Sequence, residues 1–257
     1  MRTSIEEVAD WVGAARSTVV LTGAGVSTDS GIPDFRGPNG VWTRDPRAER
    51  LSNIGYYLAD PSIRRESWRR RLDHPAWNAR PNAAHRALAA LEAVGRLRVL
   101  VTQNIDGLHL AGGTSPERLI EIHGTIRESA CLACGDRRPM METLDRVRAG
   151  DTDPACLVCG GILKSATISF GQNLHPGLLA RAEEFASSCD LFLAIGTSLT
   201  VYPVARLPEL TLEAGARLVI INAEPTPLDD RAHAVMRGRI GDLLPALVAA
   251  ASATIGR

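Results

Sequence analysis

The chain has no apolar run approaching the roughly 20 residues that cross a bilayer as a helix, and its opening segment lacks the apolar core of a secretion signal. That segment, MRTSIEEVADWVGAAR, carries acids and apolar residues at helical spacing (Ile5, Val8, Trp11, Val12). A cytoplasmic protein with no membrane partner is the expectation. Charge of one sign is not in excess: Lys plus Arg and Asp plus Glu number 29 each, which excludes a global field drawing the chain to nucleic acid or anionic lipid. The basic runs Arg64-Arg65 and Arg69-Arg70-Arg71 read as a solvated helical face. Internal repeats and low-complexity linkers are missing. Cysteine is scarce, at five residues. Four of the five stand in two close pairs, which in a reducing compartment points to metal before disulfides; Cys189 reads as a small buried apolar residue. At 257 residues and 45% hydrophobic, the chain can form one large α/β domain, or a large domain with a smaller insert.

What is present is organised around Val19–Trp42, VVLTGAGVSTDSGIPDFRGPNGVW. Val19 to Thr22 read as a short buried strand running into Gly23-Ala24-Gly25 at a helix start, followed by Ser27 and Thr28. Glycines there let backbone N–H groups approach a phosphate with no Cβ in the way. The dinucleotide fingerprint is incomplete, since its third glycine falls at Thr28 and no acid ends a second strand about 20 residues on. A tight turn without a ligand is the competing reading. The next ten residues, Gly31 to Gly40, hold three glycines and two prolines, so they form a loop, and that loop carries Asp34, Phe35 and Arg36.

Further strands are expected at Leu97–Thr102, Leu119–Ile122, Ile162–Phe170, Leu191–Ile195 and Arg217–Ile221, with a helix after Pro81-Asn82 capped by Asn82 and ended by Gly95. Their carboxyl ends deliver Gln103-Asn104-Ile105-Asp106, then His123-Gly124, then Gly196-Thr197-Ser198, then Asn222-Ala223-Glu224. Ligands of open parallel sheets bind at such ends, although each stretch alone also reads as a polar turn. His123 has the right chemistry for a base near neutral pH, yet a lone histidine after a strand is also commonly structural; His85 and His109 read as structural. Residues 46–81, punctuated by Pro46, Pro61, Pro75 and Pro81, read as short helices. Cys131-x-x-Cys134-Gly and Cys156-x-x-Cys159-Gly form two knuckles separated by 21 residues, just outside the usual window of about 15–20 for paired zinc knuckles. Four thiolates close a tetrahedral zinc site, so the metal is structural; the residues between, Asp136 to Ala155, look too poor in apolar groups to fold without it.

Taken together, the stretches GAGVSTDSGIPDFR, TQNID, His123-Gly124, the paired cysteines, Gly196-Thr197-Ser198 and Asn222-Ala223-Glu224 resemble the sirtuins, the NAD-dependent protein lysine deacylases, in family order from Thr22 to Leu243. The resemblance implies an α/β fold: a Rossmann-like, doubly wound parallel sheet (1–45, 82–127 and 164–257) with a helical insert (46–81) and a zinc-binding lobe (128–163). It implies NAD as co-substrate, one structural zinc on Cys131, Cys134, Cys156 and Cys159, and an acyl-lysine protein or peptide as partner, with no direct nucleic-acid binding. NAD contacts fall by resemblance on Gly23, Ala24, Gly25, Ser27, Asp34, Phe35, Arg36, Gln103, Asn104, Ile105 and Asp106. Those on the adenosine side fall on Gly196, Thr197, Ser198, Asn222, Glu224, Gly241 and Asp242. His123 is implied as general base, with Asn104 catalytic beside it, and Ile168, Phe170, Gly171 and Tyr202 as peptide contacts. The implied reaction expels nicotinamide as the acyl oxygen attacks the ribose, and yields free lysine and O-acyl-ADP-ribose. A mono-ADP-ribosyltransferase on the same fold is the alternative. Two departures stand out. The family commonly ends its substrate segment Phe-Gly-Glu with Arg-Pro or Lys-Pro upstream, whereas this chain has Phe170-Gly171-Gln172 and Lys164-Ser165. Arg64 to Leu72 also lacks the Tyr-x-x-Arg pair of sirtuins that favour acidic acyl groups, so neutral acyl groups are expected.

Overall fold

Strands covered on both faces by helices carry unbroken apolar runs rather than alternations, and two strands of the main sheet show this directly: Thr18–Thr22 and Leu191–Ile195 are buried at every position. The computed structural model describes residues 4–37, 40–45 and 47–255; Pro38, Asn39 and Pro46, used above as loop punctuation, lie outside the described residues. In chain order, α1 (Ile5–Ala14) precedes β1 (Thr18–Thr22), and a 3₁₀ stretch, Ala24–Ser30, replaces the α-helical start expected after the glycines. Four helices follow: α2 (Val41–Arg44), α3 (Ala48–Leu51), α4 (Ile54–Ala59) and α5 (Pro61–Leu72). Next come α6 (Ala83–Ala93), β2 (Leu97–Thr102), α7 (Leu108–Ala111), β3 (Leu119–Glu121), β4 (Gly124–Cys131), β5 (Arg137–Pro139), α8 (Met140–Arg148) and β6 (Leu163–Thr167). The described chain ends with α9 (Pro176–Ser188), β7 (Leu191–Ile195), α10 (Leu207–Glu213), β8 (Arg217–Ile221), β9 (Ala234–Met236) and α11 (Ile240–Ile255).

The main sheet runs β3-β2-β1-β7-β8-β9, and every pairing in it is parallel. Because successive residues of a strand face opposite ways, the apolar runs feed two cores. Val20, Leu100, Leu193 and Val219 pack with Val8 of α1, Leu88 of α6 and Leu247 of α11. Val19, Val99, Phe192 and Leu218 pack on the other face with Ala182 of α9 and Leu207 of α10. The chain winds outward from β1 in one direction through β2 and in the other through β7, so the crevice of this doubly wound sheet opens between the carboxyl ends of β1 and β7.

A second sheet, β5-β4-β6, is antiparallel. β4 and β5 carry too few apolar residues at alternate positions to read as strands, whereas α8 sets Met140 and Leu144 at helical spacing within an otherwise charged segment. The apolar complement missing from Asp136–Ala155 comes from elsewhere in the chain: Met140 and Leu144 of α8 pack with Leu163 of β6 and with Trp68 of α5. The strand expected to run to Phe170 stops at Thr167, where the Ile168 N–H turns away to the His123 carbonyl (2.8 Å). No helix among the described residues is long and apolar enough to cross a membrane.

Asn82 caps α6 as expected, its Oδ1 accepting from the Ala84 N–H (2.9 Å), while its Nδ2 donates to the Val26 carbonyl (2.8 Å) and ties the helix to the 3₁₀ stretch. Behind this contact lie His85 and His109, both buried, with ring centroids 4.8 Å apart. His109 Nε2 meets Thr22 Oγ1 at 3.0 Å. Burial pulls His85 down to about 4, and burial with the neighbouring His85 pulls His109 down to about 3. Both are neutral in the fold, whereas an unfolded histidine takes up a proton near 6.5. Stability from these groups is therefore complete above pH 6.5 and is lost as pH falls through that value toward 4. Glu121, raised to about 7 chiefly by burial, works in the opposite sense, so a comparison is needed to isolate the histidines. Unfolding free energies from urea titrations between about pH 7.5 and 4.5 are expected to fall more steeply for the wild type than for His109→Gln, by on the order of 2 kcal/mol across the window; parallel curves would place the proton linkage elsewhere.

Candidate active site

At the crevice, two glycine turns meet backbone to backbone. The Gly23 N–H donates to the Ile195 carbonyl (3.0 Å) and the Gly25 N–H to the Gly196 carbonyl (2.9 Å). A Cβ on Gly23 would lie 2.6 Å from the Gly196 oxygen, and one on Gly196, whose φ is +62°, would lie 2.6 Å from the Val26 nitrogen. These positions need glycine because each turn fills the space a side chain would take in the other. The turns line one end of a cleft of about 1620 Å³, and Ala24, Ser27, Thr197 and Ser198 stand in its wall with them.

Below them is a closed polar network. Ser27 Oγ donates to Asp106 Oδ2 (2.7 Å), and the Leu108 N–H donates to Asp106 Oδ1 (2.9 Å). Asn104 Nδ2 donates to the Gly23 carbonyl and to Ser27 Oγ, each at 3.1 Å, and Gln103 Nε2 donates to Thr197 Oγ1 at 2.8 Å. Gln103, Asn104, Ile105 and Asp106 all line the cleft, as does His123. His123 Nδ1 lies 3.1 Å from the Gln103 carbonyl. A carbonyl only accepts, so this nitrogen carries the proton and Nε2 keeps its lone pair. Burial holds the His123 pKa below its ordinary 6.5, with the Gln103 carbonyl opposing in part.

Asp34, Phe35 and Arg36 hang over the cleft from the loop before α2. Asp34 Oδ1 accepts from the Gly37 N–H (2.8 Å) and closes the turn, Phe35 stands 4.9 Å from the Trp42 ring, and the Arg36 guanidinium lies 4.6 Å over that ring. Trp42 in turn meets Phe170 at 5.4 Å. Asn222 and Glu224 close the far end, where Asn222 Nδ2 donates to the Glu224 carbonyl (2.8 Å). At the start of α11 the cleft wall is Gly238, Arg239 and Ile240. Gly241 backs onto the Asp29 carboxylate, and Asp242 is an exposed acid in the first turn of α11, where it complements the helix dipole.

Ile168, Phe170, Gly171 and Tyr202 lie along one rim. The Phe170 N–H already donates to the Ser52 carbonyl (2.8 Å) and its carbonyl accepts from the Ile54 N–H (2.9 Å), so neither group is left for a third strand. Gln172, which stands where the family commonly has Glu, accepts the Ser169 N–H on Oε1 (2.9 Å) and closes that turn. Away from the cleft, the sulfurs of Cys131, Cys134, Cys156 and Cys159 lie within 4.8 Å of one another. The Ala133 and Cys134 N–H groups point at Cys131 Sγ, and the Val158 N–H points at Cys156 Sγ. Donors aimed at sulfur stabilise thiolate, and four converging thiolates fit one closed zinc site.

The Sir2 family model matches residues 23–203. The chain belongs to the Sir2 family. It is 54% identical over 229 residues to NAD-dependent protein deacetylase 2 of Streptomyces coelicolor, covering 89% of this chain and 95% of that one. It is 44% identical to NAD-dependent protein deacetylase 1 of Bradyrhizobium diazoefficiens over 95% of both chains. Among solved structures, a Sir2–p53 peptide–NAD+ complex superposes with a TM-score of 0.85 at 34% identity, over 94% of this chain and 96% of that one. The resemblance read from the motifs and the sheet order therefore agree on one family.

Some residues of this Sir2 cleft were not legible in its motifs. Arg71, in a run whose spacing suggests a solvated face, lines the cleft and donates through Nη2 to Ser165 Oγ (3.0 Å), while Arg69 and Arg70 are exposed and paired with Glu66. Lys164 is buried, donating to the Thr167 carbonyl (2.6 Å), and burial beside Arg71 pulls it down to about 7. The i, i+3 spacing from buried Trp68 to Arg71 was the available signal.

Two outcomes follow from this geometry. The acid limb of the kcat/KM profile is expected below pH 6.5, because the base must be neutral and burial lowers its pKa; a limb above 7 would remove His123 from that role. Metal removal by a strong chelator is expected to release hydrogen-exchange protection in β4, β5 and α8 first, leaving β1, β2, β7 and β8 protected. Simultaneous loss throughout would show that the lobe is not a separate unit.

Proposed function

We propose that this chain removes acetyl groups from protein lysine, consuming NAD and producing nicotinamide and O-acetyl-ADP-ribose. The observation that carries the reading is His123: buried in the cleft wall, with Nδ1–H given to a carbonyl and Nε2 left as an acceptor beside Gln103 and Asn104. The deacetylase names of the Streptomyces and Bradyrhizobium relatives and the peptide and NAD of the solved Sir2 complex support it. Bound NAD supplies the anomeric carbon from which nicotinamide departs. Gly23–Gly25 and Gly196–Ser198 line the phosphate end, where turns without a Cβ let the phosphates approach closely, Asn222 and Glu224 face a ribose, and Gly241 and Asp242 stand behind that wall. Ile105 and Asp106 hold the carboxamide, Asn104 orients the reacting ribose, and Phe35 with Arg36 covers the site against water. His123 Nε2 takes the proton from the ribose hydroxyl. The acyl-lysine enters along the rim at Ile168–Gly171 and Tyr202. Four unpaired cysteines in a closed cluster are in keeping with a reducing cytoplasm.

At the acyl end, Tyr57 donates its hydroxyl to the Leu163 carbonyl (2.7 Å), and Arg71 and Lys164 are engaged with β6. Among the described residues lining that end no free phenol is left to pair with an arginine, so neutral acyl groups are the preferred cargo. With acetyl-lysine peptide and NAD, mass spectrometry is expected to show free lysine, nicotinamide and acetyl-ADP-ribose from the wild type and none from His123→Ala. ADP-ribose left on protein would make the enzyme a transferase. On matched peptides, kcat/KM for acetyl-lysine is expected to exceed that for succinyl-lysine by about tenfold or more; the reverse order would assign Arg71 and Lys164 to the acyl carboxylate.

A further inference from the structure

Asp106 is held at both ends. Its carboxylate is taken by Ser27 and the Leu108 N–H. Its backbone carbonyl accepts two hydrogen bonds from one side chain, Arg127 of β4, from Nε at 3.2 Å and Nη2 at 2.9 Å. The same Nη2 donates to the Ala76 carbonyl (3.2 Å), and the guanidinium lies 5.6 Å over the Trp77 ring. Gly107 follows Asp106 with φ +73°, and a Cβ there would come within 3.2 Å of Arg127 Nε. One residue earlier, the Ile126 N–H donates to the Ile105 carbonyl (2.8 Å). Adjacent residues of β4 thus pin the carbonyls of both Ile105 and Asp106. Ile126 does so through its backbone N–H, independently of its side-chain chemistry, whereas at position 127 the side chain is decisive. A planar guanidinium can give two parallel donors to one carbonyl and a third to Ala76.

We propose that Arg127 is a positioning residue for the nicotinamide end of the site: by fixing the Asp106–Gly107 peptide it sets the orientation in which Asp106 meets the carboxamide. This rests on the NAD-dependent reading above. The effect is confined to ligands that carry the nicotinamide ring, since Arg127 touches neither glycine turn nor the Asn222–Glu224 end.

The test is calorimetric binding of ADP-ribose, together with product inhibition by free nicotinamide and KM for NAD and for acetyl-lysine peptide, on wild type, Arg127→Ala and Arg127→Lys. In Arg127→Ala the nicotinamide inhibition constant and the NAD KM are expected to rise about tenfold, the loss of charge-assisted hydrogen bonds to one carbonyl. ADP-ribose affinity and peptide KM are expected to stay within about twofold. Arg127→Lys keeps one charged donor and is expected to recover about half of the change on a logarithmic scale. If the alanine variant does not fold, the ratio of nicotinamide to ADP-ribose affinity in the lysine variant decides alone, a shift of about threefold being expected. An unchanged ratio, or nicotinamide and ADP-ribose weakening together, would overturn the role of Arg127 while leaving the NAD reading in place. Failure of the wild type to bind ADP-ribose would overturn that reading and this role with it.

Discussion

The structure depends on a backbone contact: the turns after β1 and β7 lie so close that their amides and carbonyls bond directly, Gly23 to Ile195 and Gly25 to Gly196. The contact exists because the sheet changes winding direction between those strands, which leaves a gap that only side-chain-free turns can fill. Once the turns are locked, Gly23 offers its carbonyl to Asn104, Ser27 reaches Asp106, and Thr197 takes Gln103. The ends of β1, β2 and β7 are thereby joined into one polar floor with its hydrogen bonds made inside the protein. A floor of that kind is pre-organised and needs no rearrangement when charge develops above it.

The small lobe is bound to this floor in three ways. The His123 carbonyl takes Ile168 at the exit of β6, β4 pins Ile105, and Phe170 bridges to Ser52 and Ile54 of the helical insert. The four cysteines lie away from the cleft wall, so zinc in that cluster acts on the lobe's geometry and not on the reaction. The apolar core of the lobe is shared between the zinc segment and α5, through Trp68, Met140 and Leu144. Two sequence segments that look separate are therefore one packing unit, and a change in either reaches the acyl end of the cleft.

Local chemistry determined much of this protein. The strand runs at Val19–Thr22, Leu97–Thr102, Leu191–Ile195 and Arg217–Ile221, the Asn82 cap, the cysteine knuckles and the residues at the strand ends were legible because each depends on neighbours within a few positions. Other features were decided only by tertiary structure. β5 closes on β4 as a local hairpin, but β4 gains its second partner, β6, from a segment more distant in the chain. Arg71 faces the cleft because Trp68 turns α5 inward. Gly23 needs to be glycine for the sake of Gly196, some 170 residues away. The proton position on His123 depends on the Gln103 carbonyl, and the hold on Asp106 depends on Arg127. Spacing along a chain records which groups are offered, but orientation, burial and a hydrogen-bond partner are properties of packing, and packing is set by residues far apart in sequence.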